Sequence, residues 1–450
     1  MAQQLDLVTS VGMPDQFTFY TVKITAISSF AWTFAALPAM IPAFIAPPTA
    51  EKNGSSIIEG FHTIIEEFDL HSPQPDYTMD LYFLASLLLG WIPCLLSDKY
   101  GRKISLVLAS FATGLVCLLC AFSPNYTIFL VGRFIQGALF STLSGIGFVF
   151  VSESLPFSCH GRASIIFSLM WCLGYIIMAP LASLFSDWRI LHIAISVPII
   201  LYGFVLLFWT KESLAFLVSN RQFDKVAEWV HASDSVSSTK FDRGCLSTYE
   251  QEPLTEKDEK ELPAPDHSAI SAFTDPKILK PLVIMTYMWI TDFIVYNGLS
   301  LTSTTLAIGD PHWNYAASGL VEIPASIILP LLMDLIGRRP SVILTHALTG
   351  VILALLPFIP DSHDHMYLSF WMISKFGVAA SFFALYIYAA ELFPVEHRSL
   401  CVGTCCALGN IGALLVPSVS KMSPMAMFGI YSVVSLGSCV LTLLLPETAH

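Results

Sequence analysis

The stretch Ser97-Asp98-Lys99-Tyr100-Gly101-Arg102-Lys103 separates two apolar runs that are each long enough to cross a bilayer. A shorter copy, Asp334-Leu335-Ile336-Gly337-Arg338-Arg339, lies between two apolar runs in the second half of the chain. Loop backbone finds no hydrogen-bond partners in hydrocarbon, so each stretch is predicted to turn at a membrane face. Its basic residues favour the cytoplasmic face. One copy in each half suggests a duplicated bundle of helices.

The composition is typical of a polytopic membrane protein. Of 450 residues, 54% are hydrophobic and 12% are charged, whereas an average globular domain carries roughly 25% charged residues. A net charge of −12 without a basic stripe argues against nucleic-acid binding. Residues 1–20 lack the basic start and short apolar core of a cleaved signal peptide, so we expect the first helix to act as the insertion signal.

Apolar runs of about 20 residues, the length that crosses the hydrocarbon core, recur along the chain and divide it into two halves. We predict an N-terminal six-helix half at 1–210, with a short external loop at 48–77 and spans at 24–46, 79–96, 104–122, 126–150, 163–185 and 190–209. Residues 211–278 are polar and are predicted to form a cytoplasmic linker. The C-terminal half is predicted at 279–450, with spans at 280–301, 315–333, 340–360, 366–389, 399–418 and 424–445.

The distribution of basic residues sets the expected orientation. The short inner loops hold Lys99, Arg102, Lys103, Arg162, Arg338, Arg339 and Arg398. The outer loops hold little beyond Lys52, Arg189 and Lys421. This bias predicts that both termini are cytoplasmic, and we expect a multi-pass protein of the plasma membrane. The external loop contains Asn53-Gly54-Ser55, which is an acceptor pattern for N-glycosylation at Asn53.

This organisation, with the repeated turn in each half, resembles the major facilitator superfamily. Further motifs are similar to its organic cation, anion and carnitine transporter family: Gly132-Arg133-Phe134-Ile135-Gln136-Gly137, Glu153 with Arg162, Lys211-Glu212-Ser213, Trp289-Ile290-Thr291-Asp292, Tyr296-Asn297-Gly298-Leu299, Leu320-Val321-Glu322-Ile323-Pro324-Ala325, Ala390-Glu391-Leu392-Phe393-Pro394 with Arg398, and Pro446-Glu447-Thr448. The likeness covers nearly the whole chain and is strongest to the cation members. It implies an all-α membrane protein of twelve transmembrane helices in two pseudo-symmetric six-helix halves, which bind substrate between them near the midplane.

The chain departs from that family at positions that bear on substrate charge. Its first external loop is much shorter and lacks cysteine, and Cys94 replaces the glycine that usually opens the repeated motif. Cation members carry a lysine in the fourth helix and an aspartate in the eleventh, where this chain has Ser141 and Asn410. Anion and carnitine members have arginine where Asn410 stands. The residue that usually discriminates substrate charge is therefore neutral here.

The repeated turns have two interpretations. They act as topology signals alone, or, as the resemblance implies, as a latch that stabilises one conformation of the two halves. Exposed ion pairs contribute little stability, so a latch would act by tipping a near-balanced equilibrium. The candidate latch residues are Asp98, Gly101, Arg102, Lys103, Asp334, Gly337, Arg338, Arg339, Glu153, Arg162, Glu391 and Arg398.

Four charged residues lie well inside predicted spans, away from the span ends, where a charge costs roughly 2.5–3.5 kcal/mol on insertion scales. Arg133 either braces helices through backbone carbonyls or contacts substrate. Glu322 and Lys375 are predicted to pair across the cavity, with either a structural or a gating role. Asp292 either attracts a cation or bonds Thr291 or a neighbouring helix.

Trp289, Asp292 and Tyr296 are spaced at i, i+3 and i+7, so they share one face of a helix. Aromatic rings beside a carboxylate suit an organic cation, because cation–π attraction contributes about 0.5–2 kcal/mol. The alternative is that these aromatic residues pack on lipid or on another helix. With Asn410, they are the candidate substrate-binding residues.

These features predict a carrier of small amphipathic organic ions, with cations as the preferred class, that works by alternating access without ATP hydrolysis. No phosphate-binding glycine loop is present, and we expect no enzyme activity, cofactor or metal site. One alternative is a carrier of organic anions or of neutral or zwitterionic solutes, with proton coupling through Asp292 or Glu322. A second alternative is a non-transporting receptor or scaffold on the same fold. The expected partners are the small organic ion and the lipid bilayer, and the oligomeric state is left open.

Overall fold

The computed structural model describes residues 19–47, 60–155, 160–220, 222, 224–226, 228–229, 275–306, 309–360, 362–394 and 398–448. In that part of the chain the regular structure is helical, and eleven helical segments are long and apolar enough to cross a membrane. This confirms the predicted class of all-α membrane protein. Asn53 and most of the predicted linker, 211–278, lie outside the described residues.

The described helices of the N-terminal half run from α1 to α11. They are α1 Phe19–Met40, α2 Pro42–Ile45, α3 Ile64–Glu67, α4 Tyr77–Leu89, α5 Trp91–Tyr100, α6 Arg102–Ala121, α7 Tyr126–Ser141, α8 Gly147–Ser152, α9 His160–Leu184, α10 Trp188–Trp209 and α11 Leu214–Ser219. A π-helical turn at Thr142–Ile146 joins α7 to α8.

The C-terminal half repeats this pattern. Its helices are α12 Pro276–Leu301, α13 Pro311–Leu320, α14 Glu322–Ile336, α15 Arg338–Leu355, α16 Asp364–Leu392, α17 Arg398–Ser420 and α18 Pro424–Thr442. The helices α13 and α14 are separated by Val321 alone.

The second predicted span, 79–96, forms two consecutive helices, α4 and α5, which meet at Gly90. An added Cβ at Gly90 would overlap the Ser141 side chain, so the absence of a side chain allows α7 to pack closely here. Helix α1 ends at Met40, and α2 begins at Pro42, which has no backbone N–H with which to continue the hydrogen bonds of α1.

The two halves pack by the same scheme. In the N-terminal half α1 packs on α9, α4 on α7, and α6 on α10. In the C-terminal half the corresponding pairs are α12 on α17, α14 on α16, and α15 on α18. Between the halves, α9 packs on α13 and α14, and α17 packs on α4. This arrangement is the pseudo-symmetry that the two copies of the turn indicated.

The described part of the first loop is tied to the turn before α10. His62 Nδ1 lies 3.2 Å from Asp187 Oδ2, and Arg189 pairs with Glu67 at 3.0 Å. The Thr63 side chain caps α3 in a capping box with Glu66. These contacts hold the loop against its own half.

Candidate functional site

The two halves contact each other at one membrane face, which we call the Asp76 face. Lys421, between α17 and α18, lies 2.7 Å from Asp76 and 2.8 Å from the Ser72 hydroxyl, both in the N-terminal half. The Thr304 hydroxyl donates a hydrogen bond of 2.8 Å to the carbonyl of Ala43. Polar contacts therefore join the halves at this face.

Aromatic stacking extends the contact inward. The rings of Tyr175 on α9 and Tyr315 on α13 are nearly parallel, with centroids 4.4 Å apart. Phe44 packs edge-on against Tyr315 at 4.8 Å. Gly319 faces Tyr175 so closely that an added Cβ would overlap the tyrosine ring. Since these rings come from opposite halves, they close the space between the halves on this side.

The repeated turns lie at the opposite face, which we call the Arg102 face. The Arg102 guanidinium pairs with Glu153 at 3.0 Å, and Ser213 donates to the same carboxylate at 2.6 Å. The backbone N–H groups of Arg102 and Lys103 each donate to Glu212 at 2.9 Å. A carboxylate at the start of α6 is favourable because the first N–H groups of a helix have no partner within the helix.

The C-terminal half has the matching network at the start of α15. Arg338 pairs with Glu391 at 3.2 Å and with Asp334 at 2.7 Å. The backbone N–H groups of Arg338 and Arg339 donate to the two carboxylate oxygens of Glu447, at 2.9 and 3.1 Å. Arg102, Glu153 and Glu212 thus correspond to Arg338, Glu391 and Glu447.

The glycine of each turn makes this arrangement possible. Gly101 has φ +110° and Gly337 has φ +97°, a region that residues with a side chain rarely adopt. A Cβ at Gly101 would overlap the Glu212 carboxylate, and one at Gly337 would lie 2.9 Å from Glu447 Oε2. Glycine therefore supplies both the backbone conformation and the room for the capping carboxylate.

The described ion pairs of the Arg102 face each join residues of the same half. Three further latch candidates, Asp98, Arg162 and Arg398, have side chains outside the described residues. The role of the latch set in switching between conformations stays a prediction.

Lys375 and Glu322 meet where the halves touch. Both side chains are fully buried, and Lys375 Nζ lies 2.9 Å from Glu322 Oε1. The ammonium also lies 3.4 Å from the ring centroid of Tyr296 and 5.2 Å from that of Tyr175. Tyr296 donates to the other oxygen of Glu322 at 3.0 Å. We call these four residues, Lys375, Glu322, Tyr296 and Tyr175, the ammonium cage.

A cluster of rings adjoins the cage, and we call Trp289, Tyr296, Phe382 and Tyr386 the aromatic wall. The Trp289 ring packs on Tyr386 at 4.4 Å and on Phe382 at 5.5 Å, and Phe382 packs on Tyr296 at 5.7 Å. Trp171 of the N-terminal half donates its indole N–H to the Tyr296 hydroxyl at 2.6 Å. The wall therefore belongs to the C-terminal half and contacts the other half.

Asp292 shares the helix with Trp289 and Tyr296, but its carboxylate contacts α15 and α16. Asp292 Oδ1 lies 3.2 Å from Nε2 of His346 and accepts a hydrogen bond of 2.8 Å from Ser381. The side chain is 1% exposed. In this conformation Asp292 is thus engaged with neighbouring helices, one of the two alternatives that the sequence left open.

Arg133 and Asn410 make backbone contacts. The Arg133 guanidinium donates to the carbonyls of Pro38, at 2.7 Å, and Thr78, at 3.2 Å. Pro42 cannot donate to the Pro38 carbonyl within the helix, so Arg133 supplies the missing donor. Asn410 donates to carbonyls of its own helix. Arg133 therefore connects three helices.

Two pseudo-symmetric helical halves, with a buried ion pair and an aromatic wall where one half contacts the other, are features of a multi-pass membrane transporter. The sequence pattern of the Major Facilitator Superfamily matches residues 24–320 and 282–450. The chain therefore belongs to the Major Facilitator Superfamily, and it is a transporter by family and not an enzyme.

Similar proteins refine this placement. A Caenorhabditis elegans protein described as a transporter is 29% identical, over 97% of this chain and 87% of the relative. Solute carrier family 22 member 3 of Rattus norvegicus is 26% identical, over 87% of this chain and 70% of the relative. Organic cation transporter 1 of Caenorhabditis elegans is 26% identical, over 86% and 67%. These matches confirm the resemblance to the solute carrier family 22 organic cation transporters.

A solved structure has the same fold. The xylose transporter XylE from E. coli, in a partially occluded inward open conformation, superposes with a TM-score of 0.69 at 14% identity, over 95% of this chain and 98% of XylE. At this identity the likeness establishes the architecture.

Several residues of these sites were not predicted from the sequence. Glu212 and Glu447 were identified only within the motifs of the resemblance, although each follows the last membrane-spanning helix of its half. Tyr175 gave no signal, because a tyrosine in a span is ordinary. His346 was detectable as a titratable residue inside a span, but its spacing from Asp292 in the chain gave no reason to connect them.

Proposed function

We propose that this chain transports small organic cations across the membrane by alternating access, without ATP hydrolysis. The single observation that carries the proposal is the ammonium cage. Lys375 presents a primary ammonium to two tyrosine rings and a carboxylate at the contact between the halves. The environment that holds this internal cation has the chemistry that an amine or quaternary ammonium substrate requires. The printed name of one relative, organic cation transporter, supports the same substrate class.

The substrate cation would compete with Lys375 for the cage. Its apolar body would lie against the aromatic wall, where each ring adds apolar area and cation–π attraction of about 0.5–2 kcal/mol. Displaced from Glu322, the Lys375 ammonium would have to find a new position, so binding and a change in the contact between halves would occur together. A buried charge without a counter-charge is costly. The substrate cation is therefore expected to replace Lys375 at Glu322, and not to bind beside it as an additional positive charge.

The contacts at the two faces support alternating access. Contacts between the halves are concentrated at the Asp76 face, and the described ion pairs of the Arg102 face lie within single halves. The halves would therefore separate at the Arg102 face to admit substrate to the buried site. If that face is cytoplasmic, as the basic residues predict, an inside-negative potential would drive cation entry with about 2.3 kcal/mol per charge per 100 mV.

The test is uptake of radiolabelled tetraethylammonium into voltage-clamped cells that express the full chain. We expect saturable uptake that increases with inside-negative voltage and falls in the Trp289→Leu and Glu322→Gln variants. Trp209→Leu is the matched control, because Trp209 is exposed and lies outside the wall. A normal response of Trp289→Leu, or loss in the control as large as in the wall variant, would contradict the proposed site.

The neutral alternative is tested in the same cells. Uptake of a neutral isostere at the rate of the cation would show that charge is not recognised. Uptake of organic anions alone would indicate that Lys375 is the group that recognises the substrate. Absence of uptake for cations, anions and zwitterions alike would favour a non-transporting receptor or scaffold.

The orientation is also proposed, with both termini in the cytoplasm and the chain in the plasma membrane. We expect Asn53 to carry a glycan, so Asn53→Gln should abolish a mobility shift produced by glycosidase treatment. Asn125-Tyr126-Thr127 is a second acceptor pattern, and Asn125→Gln is the control, because the Asn125 side chain already accepts a hydrogen bond from Ile128 N–H at the start of α7. A wild-type protein without a mobility shift, or one whose shift is lost only in Asn125→Gln, would contradict glycosylation of the loop at Asn53.

A further inference from the structure

Asp292 and His346 form a buried pair in the C-terminal half. Each side chain is 1% exposed, and Asp292 Oδ1 lies 3.2 Å from His346 Nε2. Asp292 Oδ2 is buried without a hydrogen-bond partner among the described residues. The pair is the one buried Asp–His contact among the described ion pairs, and neither the ammonium cage nor the turns use it.

The second nitrogen of His346 fixes how the pair holds protons. Nδ1 lies 2.9 Å from the carbonyl of Val342, which can only accept, so Nδ1 carries a hydrogen. Nε2 therefore faces the Asp292 carboxylate either as an N–H donor or as a bare lone pair. A lone pair facing an ionised carboxylate would be repulsive, so one additional proton must lie on Nε2 or on Asp292.

With that proton the pair is neutral overall, as imidazolium with carboxylate or as imidazole with carboxylic acid. Without it the pair carries a net negative charge in a buried site, and with a second proton it carries a net positive charge. Either charged form is unfavourable unless the surroundings compensate or the site opens to water.

Among the described side chains, the other titratable groups on the packed helices are exposed or partly exposed, have a partner of their own, or are ordinarily neutral. Lys375 on α16 and Glu322 on α14 pair with each other. On α18, Cys439 donates to the carbonyl of Ile343, and on α17, Cys405 contacts Thr286. The tyrosines on these helices and on α12 are Tyr287, Tyr296, Tyr367, Tyr386, Tyr388 and Tyr431, and a phenol ordinarily has a pKa of about 10.

The pair lies directly behind the aromatic wall. Asp292 is three residues from Trp289 and four from Tyr296 on α12. Ser381, which bonds Asp292, precedes Phe382 of the wall. Because the pair is sealed in this conformation, a proton can enter or leave only when the helices around it move. Exchange of that proton is therefore tied to movement of the wall.

We infer that Asp292 and His346 form a proton-binding site whose occupancy controls the movement of the aromatic wall. The ligand is one proton, which passes between Nε2 of His346 or Oδ1 of Asp292 and water when the site opens. With the proton bound, the described conformation is stable, and loss of the proton favours opening. The consequence for transport rests on the proposed function, whereas the binding of the proton does not.

Infrared difference spectroscopy of the purified full chain in lipid measures the protonation of the Asp292–His346 pair directly. Across about pH 5–8, the range in which histidine titrates, we expect carboxyl and imidazole bands that are lost in Asp292→Asn. His346→Asn alone leaves the Asp292 carboxylate without its partner. If that variant does not fold, the double variant Asp292→Asn with His346→Asn takes its place, because it has no titratable group at the site. His192→Asn is the matched control, since His192 is buried and makes the same Nδ1 contact, to the Trp188 carbonyl, at 2.8 Å.

The dependence of tetraethylammonium uptake on pH measures the coupling between proton binding at the pair and cation transport. We expect the wild type and His192→Asn to change several-fold across this range, and both Asp292→Asn and the double variant to have a flat profile. Bands that persist in Asp292→Asn, or a pH profile that the variants share with the wild type, would overturn the inference. If Asp292→Asn loses the infrared bands as expected but the wild-type protein takes up no organic cation, the proton site is supported and the proposed function is overturned.

Discussion

The Lys375 ammonium lies 3.4 Å from the ring centroid of Tyr296 and 2.9 Å from Glu322 Oε1, so one buried cation joins α12, α14 and α16. The same Glu322 accepts from Tyr296, whose hydroxyl accepts from Trp171 of the other half. A charge inside the C-terminal half is thereby connected to the contact between the halves.

Removing one partner of this pair should be more harmful than removing both. Glu322→Gln leaves a buried ammonium unpaired and should destabilise the protein by about 3–5 kcal/mol. The double variant Glu322→Gln with Lys375→Gln leaves no unpaired charge and should recover much of the thermal stability without recovering cation uptake. Thermal unfolding in detergent and uptake measure the two effects separately. Equal instability of the single and double variants would show that the pair does not act as a unit.

Gly319→Ala should open the Asp76 face. The added methyl would overlap the Tyr175 ring, and overpacking of this kind typically costs about 1–3 kcal/mol. Because the two residues belong to opposite halves, separation of the halves relieves the overlap. We expect faster labelling of a cysteine introduced as Ser303→Cys by an impermeant thiol reagent. Gly403→Ala is the control, since an added Cβ there meets nothing within 4 Å. If the introduced cysteine is labelled at the same rate in Gly319→Ala as in Gly403→Ala, the contact between Gly319 and Tyr175 does not hold the Asp76 face closed.

Glu212→Gln and Glu447→Gln should have matching effects. Each carboxylate accepts two backbone N–H groups at the start of a helix, and loss of its charge should lower stability by about 0.5–2 kcal/mol. Thermal unfolding of the two variants measures this. Glu228→Gln provides the comparison, because that side chain is 71% exposed and its contact with Lys211 is 3.7 Å. If all three variants unfold alike, the capping role is excluded.

Arg133→Lys should affect folding and leave substrate recognition unchanged. Lysine keeps the charge but cannot reach both the Pro38 and Thr78 carbonyls, and each buried carbonyl left without a donor costs about 1–3 kcal/mol. We expect lower thermal stability and a lower amount of folded protein, with an unchanged KM for the cation. A raised KM at unchanged stability would instead indicate direct contact with substrate.

The sequence was a good guide wherever a pattern repeats locally. Apolar run length predicts a spanning helix because the backbone must satisfy its hydrogen bonds within the segment. The two copies of the turn predicted pseudo-symmetric halves, and residues such as Gly101 and Gly337 have the left-handed φ that a sharp turn requires. The breaks within the spans, at Gly90 and Val321, were not predicted, since they depend on contacts with neighbouring helices.

What the sequence by itself determined is the membrane class, the helical halves and the presence of buried charges, because all three follow from local composition. Only the tertiary structure decided the partners of those charges. Asp292 pairs with His346, which is far away in the chain, and Lys375 lies between the rings of Tyr296 and Tyr175 from different halves. The physical reason is that a buried charge must find its counter-charge across a helix contact, and the rotation of one helix against another is set by packing and not by the order of residues.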